Sequence, residues 1–284
     1  MSTQETGALI ESVNNMTATV TGKMGEIDKK VNHATESVPN AIRSMASVNF
    51  FVSNDGHDLT GNGSFNKPFK TILFAIKQAI PGSFVTINLF GNQEYICESN
   101  VHHNSSHGKN ILITVYHANS EVVIKPKITF RMTKNPKGTW DDAYVCNYFE
   151  GEDFSLTIRD VDIIHESIPT GGKPYYNHTF GGVVTRGTVN SGGLNVTLRF
   201  VNCGLATGDH PFVTGLMGYL NVHLRVVSIS KGGTMDSLFP KVNNNMAMII
   251  GLQSVSISGF TSNLPDNVFS YDPTKAANVL SCGL

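Results

Sequence analysis

The amino-acid sequence predicts a mainly β chain: a right-handed parallel β-helix, wound as a single-stranded solenoid and preceded by an N-terminal α-helical coiled coil. Three observations predict it. An apolar 3,4 spacing begins at Ile10 and holds to Met45. One strand template recurs at unequal intervals from residue 84 onward. A short amphipathic helix flanked by prolines stands directly ahead of the first repeat. A sustained 3,4 spacing winds helices around each other. An unvarying template at varying intervals is what a solenoid shows when loops of different length interrupt its turns.

Residues 1–46 form the first segment. With Ile10 as heptad position a, the a and d positions are Ile10, Val13, Thr17, Val20, Met24, Ile27, Val31, Ala34, Val38, Ala41 and Met45. Only Thr17 breaks the apolar rule. Ile10, Val13, Val20, Met24, Ile27, Val31, Ala34 and Val38 are therefore the residues expected to join copies of the chain. The β-branched a positions Ile10, Val31 and Val38 suit two or three strands, and spacing does not choose between them. Gly22 and Gly25 each cost up to about 1 kcal/mol against alanine, so the helix is expected to need its partners. Pro39 is expected to end or kink it near Val38. The alternative, an amphipathic helix packed on its own domain, calls for a wider apolar stripe.

Residues 47–82 supply an opening strand, a Gly-rich loop and a capping helix. The helix is expected over residues 69–80, with Phe69, Ile72, Leu73, Ile76, Ala79 and Ile80 on one face, Pro68 opening it and Pro81-Gly82 stopping it. A solenoid's first coil exposes its apolar interior unless something plugs it.

Residues 83–284 form the body. The template is apolar, x, apolar, x, x, apolar, filled by Val85-Ile87-Phe90, Ile111-Ile113-Tyr116, Leu156-Ile158-Val161-Ile163, Val196-Leu198-Val201-Cys203, Val222-Leu224-Val227-Ile229 and Val255-Ile257-Phe260. Two apolar positions one residue apart are a strand facing a core. The two-residue gap flips the parity, which means a bend between two short strands. The anchors lie 26, 45, 40, 26 and 33 residues apart. Loop insertions are expected at 125–153 and 164–182, with about seven to nine coils stacked at about 4.8 Å. An antiparallel sandwich is the alternative, but tight two-residue hairpin signals are scarce.

Composition narrows the function. The 284 residues carry 21 Lys+Arg against 22 Asp+Glu, a net charge of -1. That balance argues against binding nucleic acid by phosphate neutralisation. No run of about 18 apolar residues is present, and the opening MSTQETGALIESVNN lacks the pattern of a secretory signal peptide. Cys97, Cys146, Cys203 and Cys282 are scattered, which fits neither a disulfide framework nor a zinc site. No cofactor and no metal is expected. The histidines of the loop His102-His103-Asn104-Ser-Ser-His107 lack rigid support and read as a surface loop. Cys203 reads as a buried small hydrophobe, equivalent to Ile163 and Ile229. Asn243-Asn244-Asn245 reads as a turn or as part of an asparagine stack.

The two insertions hold the candidate binding residues. The first contains Trp140, Asp141, Asp142, Tyr144 and Tyr148; the second contains Tyr175, Tyr176 and His178. Solenoid insertions emerge on one face and commonly form the binding face. Aromatic rings beside carboxylates and amides suit sugars, since rings stack on C–H faces and the polar groups bond to hydroxyls. The alternative is that the aromatics pack the loops against the rod. Asp160 and Asp162 alternate with Val161 and are expected about 7 Å apart, within the separation of an inverting glycosidase pair, with Glu166 close by. A solvated acidic strip beside Arg159 is the plainer reading, so no catalytic residue is assigned. A lyase reading has only Lys173 and His178 to call on.

The stretch Phe51 to Ile80, FVSNDGHDLTGNGSFNKPFKTILFAIKQAI, resembles the opening of pectate-lyase-like β-helix domains in bacteriophage tailspikes and tail fibres. The leader ALIESVNNMTATVTGKMGEIDKKV resembles the coiled-coil leader of phage tail-fibre proteins. The matches cover about the first eighty residues. The resemblance implies a homotrimer on a virion, assembled in the host cytoplasm and tied to other tail or capsid proteins through residues 1–46. It implies that the spike binds a host cell-surface polysaccharide or receptor. Two other functions fit the same architecture: a polysaccharide-depolymerising tailspike, hydrolase or lyase, and a purely structural virion connector or decoration fibre. None of the three calls for nucleic acid or membrane insertion.

Overall fold

A computed structural model describes residues 3–117, 124–134, 143–175, 181–186, 194–214, 218–234, 246–260 and 279–282, apart from the side chains of residues 36–45, 194, 246, 279 and 281. The chain divides into two compact units, Met1–Ala46 and Ser47–Leu284.

The first unit is one helix, α1 (Thr3–Ala46). Three of its threonines turn their hydroxyls back on the preceding turn: Thr17 Oγ1 donates to the Val13 carbonyl, Thr19 to Asn15 and Thr35 to Val31, each at 2.8 Å. That satisfies each hydroxyl within the helix. The apolar stripe is exposed among the described residues. Ile10, Val13, Val20, Met24, Ile27 and Val31 are between 51 and 60% exposed, and Ala34 is exposed as well. The side chain of Val38 lies outside the described residues. The helix runs past Pro39, where the sequence reading ended or kinked it. A proline there removes one N–H and crowds the carbonyl four residues back, about 3 kcal/mol. Ala41, Arg43, Met45 and Ala46 behind it are good helix formers and carry the helix onward.

The second unit is mainly β: a curled parallel sheet forms two stacks of strands, and a separate three-stranded parallel sheet forms a third. The first stack is β1 (Ser47–Val52), β2 (Phe84–Leu89), β4 (Asn110–Val115), β9 (Phe154–Arg159), then the leading parts of β13 (Leu194–Thr207), β15 (Gly218–Lys231) and β16 (Met246–Ser258), and finally β17 (Val279–Cys282). The second stack is β3 (Glu94–Cys97), β5 (Lys127–Phe130), β10 (Asp162–His165) and the trailing parts of β13, β15 and β16. The third is β8 (Phe149–Glu150), β12 (Val184–Thr185) and β14 (Val213–Thr214). Every pairing within the three stacks is parallel. From β9 to β14 the chain runs twice through the first, second and third stacks in that order.

The corner between the first two stacks has a specific cause. Asp160, Asn202, Val226 and Ser254 all have left-handed backbone, with φ of 57, 54, 54 and 55°. The register places them in one column, each on the strand next to the last. One left-handed residue between extended residues turns the chain and resets the in-out alternation, which is the two-residue gap of the template. The register also corrects the template. Leu198 pairs with Leu156, and Phe200 pairs with Ile158. Phe200 is therefore inward and fully buried, while Val201 faces out. Cys203 then aligns with Val227, not with Ile229. It is buried as expected, and burial pushes its thiol up to about 11.

Inward rows run unbroken across the strands. Leu156, Leu198, Val222 and Ile250 form one, and Ile158, Phe200 and Leu224 another, all at most 1% exposed. Phe200 from the first stack, Phe130 from the second and Phe149 from the third belong to one core cluster. Phe130 meets Phe149 and Phe212 edge to face at 5.8 Å, and Phe212 meets Phe200 at 5.7 Å. Rings from all three stacks thus share one interior.

The leading end is closed by chain, not left as a raw edge. Phe69 bridges to Val52. Phe51 N–H donates to the Gly63 carbonyl at 2.8 Å, and Ser53 N–H to Phe69 at 2.9 Å. This occupies backbone groups that an edge strand would offer to another chain. Because Phe69 belongs to that edge, the helix is shorter than the span of 69–80 read from the sequence: α2 covers Ile72–Gln78. Asp58 fixes its start, accepting from Lys70 N–H and Thr71 N–H and from the Thr71 hydroxyl. Thr71 caps Phe74 N–H. Ile72, Ala75 and Ile76 bury one face in the common core.

The intervals expected as insertions contribute strands to the stacks and to a separate three-stranded sheet. Residues 125–153 contain β5 and β8 together with β6 (Thr133–Lys134) and β7 (Ala143–Val145). Residues 164–182 contain the end of β10 and β11 (Lys173–Pro174). The template registered first-stack strands and the second-stack positions that follow them directly, and missed the two-residue strands.

Candidate functional site

The acidic candidates have structural partners. Asp160 sits at the corner, not in a strand with Asp162, and its Oδ1 accepts from Asn202 Nδ2 at 2.7 Å. Asp162 Oδ1 accepts from Gly204 N–H on the next strand at 2.9 Å. Glu166 pairs with Arg131 at 2.9 Å. Lys125 Nζ reaches the same corner, donating to the Asn202 carbonyl at 2.8 Å. Each carboxylate thus ties a turn or a neighbouring strand.

Among the candidate binding residues, Trp140, Asp141, Asp142, Tyr176 and His178 lie outside the described residues. Tyr144 and Tyr175 are brought together by the parallel pairing of β7 and β11, with Tyr175 N–H donating to the Tyr144 carbonyl at 2.9 Å. The Tyr144 ring lies over Gly172, where an added Cβ would come within 2.7 Å of it. Both tyrosines are half-buried. Tyr148 is different: it is 2% exposed and packs edge-on against Phe130 and Phe149 at 5.5 and 5.1 Å. It is a core residue, not a surface one, because β8 turns its neighbourhood toward the interior.

The histidine loop is also more internal than its composition suggests. Ser105 and Ser106 are buried, and the loop closes over Glu150, which is fully buried. The Glu150 carboxylate faces three donors. His102 Nδ1 lies 2.6 Å from Oε1, while His103 N–H at 2.6 Å and Asn147 Nδ2 at 2.9 Å reach Oε2. A carboxylate offers only lone pairs, so His102 Nδ1 carries the proton. Burial pushes His103 below the usual histidine range, against the pull of Glu150. Beside this group Lys109 donates to the Ile76 and Ser105 carbonyls at 2.9 and 2.7 Å, and burial pushes its ammonium down to about 8. This cluster locks loop, helix end and third stack together.

The outer face of the first stack presents a different arrangement. Residues that face outward align in rows. One row reads Phe51, Asn88, Thr114, Arg159, Val201, Arg225, Gln253; the next ends Arg199, His223, Gly251, Cys282. Arg159, Arg199, His223, Arg225 and Gln253 line an open groove of about 640 Å³. The three arginines are exposed, and none forms an ion pair with a described carboxylate. Burial, reinforced by Arg199, holds His223 below its ordinary value. Gly251 leaves room for the His223 ring, since a Cβ there would lie 2.8 Å from Nδ1. At the leading end of the same face, Phe51, Phe65, Phe90 and Tyr116 cluster with ring centroids 5.2 to 6.3 Å apart, Phe65 being 48% exposed. Sequence reasoning missed both features. The signal was there only for outward positions read in register, and the misplaced register of Val201 hid it.

No membrane-spanning helix is found among the described residues. Comparison with protein-family models, with curated proteins and with solved structures finds no match for this chain.

Proposed function

We propose that this chain is a bacteriophage virion fibre or spike protein that binds a host cell-surface glycan or receptor. Three α1 helices wind into a coiled coil that attaches the assembly to other tail or capsid proteins. The curled sheet closes as a right-handed parallel β-helix, and its face meets the host. The observation that carries this reading is the 3,4 apolar seam exposed along α1, in a chain whose second unit is mainly β with a curled parallel sheet. An exposed apolar stripe of that length needs a partner, and stacked strands offer many shallow contacts that three copies multiply into avidity. A body of stacked strands also holds binding groups in place, without an ordering cost at each encounter.

The reading is tested in two steps. Antibodies against the full chain should decorate fibres projecting from virions, and the purified protein should bind a panel of bacterial surface polysaccharides without shortening them. Decoration confined to a buried joint of the particle, with no glycan bound, would reassign the chain as a connector. Shortening of the bound chains would reassign it as a depolymerising spike.

A further inference from the structure

We infer that the outer face of the first stack is a binding site for an acidic polysaccharide, with Arg159, Arg199 and Arg225 receiving its carboxylates. The inference rests on the glycan-binding reading above and names the ligand class. Neighbouring strands lie about 4.8 Å apart. Arg159 and Arg225, two strands apart in one row, thus stand about 10 Å apart at the backbone, with Arg199 on the strand between. Guanidinium groups pair carboxylates through two parallel hydrogen bonds. Three of them exposed in one groove without an acidic partner among the described residues leave a positive site unsatisfied. The chain as a whole carries a net charge of -1, so this cluster is a local departure from its surface.

The row gives the site direction. From Arg225 through Arg159 it continues past Thr114 and Asn88 to Phe51 and the exposed edge of its aromatic cluster. That is five strand spacings, about 24 Å. A sugar unit is comparable in length to one spacing, so a linear chain laid along the row meets arginines at one end and a stacking platform at the other. Carbohydrate C–H faces suit the rings, amide and hydroxyl side chains suit the hydroxyls between, and only carboxylates use the arginines. Duplex nucleic acid would neutralise the arginines but leave the aromatic end idle.

The test uses the full chain with alginate oligomers, their methyl esters, neutral bacterial oligosaccharides and a DNA duplex, by titration calorimetry at two salt concentrations. Alginate oligomers should bind, their esters should bind at least tenfold more weakly, and added salt should weaken only the acid form. Arg199→Ala with Arg225→Ala should lose at least tenfold while leaving the melting temperature unchanged, because both side chains are exposed. Esters or neutral sugars binding while the acid form does not would overturn the inference and leave the glycan reading standing. Silence across every sugar would overturn both. Tighter binding of DNA, or self-association abolished by the double substitution, would overturn the acidic-glycan assignment.

Discussion

Val226→Asn should stabilise the β unit. Val226 has φ 54°, a backbone conformation that costs an L-residue about 1–2 kcal/mol and is hardest on a β-branched side chain. The neighbours in its column are Asn202 and Ser254, which suit that conformation better. Val226 is 51% exposed, so replacing it forfeits less than about 1 kcal/mol of burial. Asparagine relieves most of the strain and lies next to Asn202, extending the amide column that begins with the 2.7 Å bond from Asn202 to Asp160. The net gain is about 0.5–1.5 kcal/mol, a rise in melting temperature of about 2–5 °C for a unit of this size. The reciprocal change, Asn202→Val, introduces the strain and deletes that bond, a loss of about 2–3 kcal/mol. Calorimetric melting of the full chain reads both. A lower melting temperature for Val226→Asn, or an unchanged one for Asn202→Val, would refute the view that this column of left-handed residues sets the corner.

Three further outcomes follow from buried groups. His165 and His210 stack at 3.9 Å with their Nε2 atoms 3.2 Å apart, and burial holds both neutral, His210 at about 3 and His165 well below its ordinary value. An unfolded histidine takes a proton near pH 6.5, so stability is full above that pH. It falls toward the folded values by up to about 1.4 kcal/mol per pH unit for each histidine. Melting between pH 7 and 4.5 should fall steeply, and less steeply in His210→Gln; equal slopes would contradict this. Glu150→Gln replaces one acceptor oxygen by an amide that must face a donor, and should lower stability by about 1–3 kcal/mol in a denaturant titration, whereas a neutral result would mean the cluster is not closed. Alkylation of the native chain should stop at Cys282, which is exposed. Cys97, Cys146 and Cys203 are buried, and their thiols are pushed up, Cys97 to about 12. Modification of a second cysteine without unfolding would show the core to be open.

The sequence displays what repeats over many residues and conceals what does not. The seam of α1 and the first-stack strands carry a period long enough to count. The third stack consists of two-residue strands such as Val184–Thr185, which have no alternation to detect. Val201 and Phe200 are adjacent and both apolar, and only the position of Asn202 at the hinge decides which one faces in. Glu150 meets His102 across 48 residues of chain, so their charges look like loop polarity until the strands are stacked. Asp160 and Asp162 fit the separation of an inverting glycosidase pair only if both lie in one strand, and the left-handed backbone of Asp160 leaves no mark on composition. The arginines of the groove belong to different strands and gather only once the register is known.

Sedimentation equilibrium of the full chain at neutral pH tests the central claim most directly, because the proposed assembly rests on the exposed seam of α1. Three times the chain mass of 30.8 kDa is the expected result, reduced to a single chain when Met24 and Ile27 are both changed to Asp. A native chain that sediments at 30.8 kDa would contradict it.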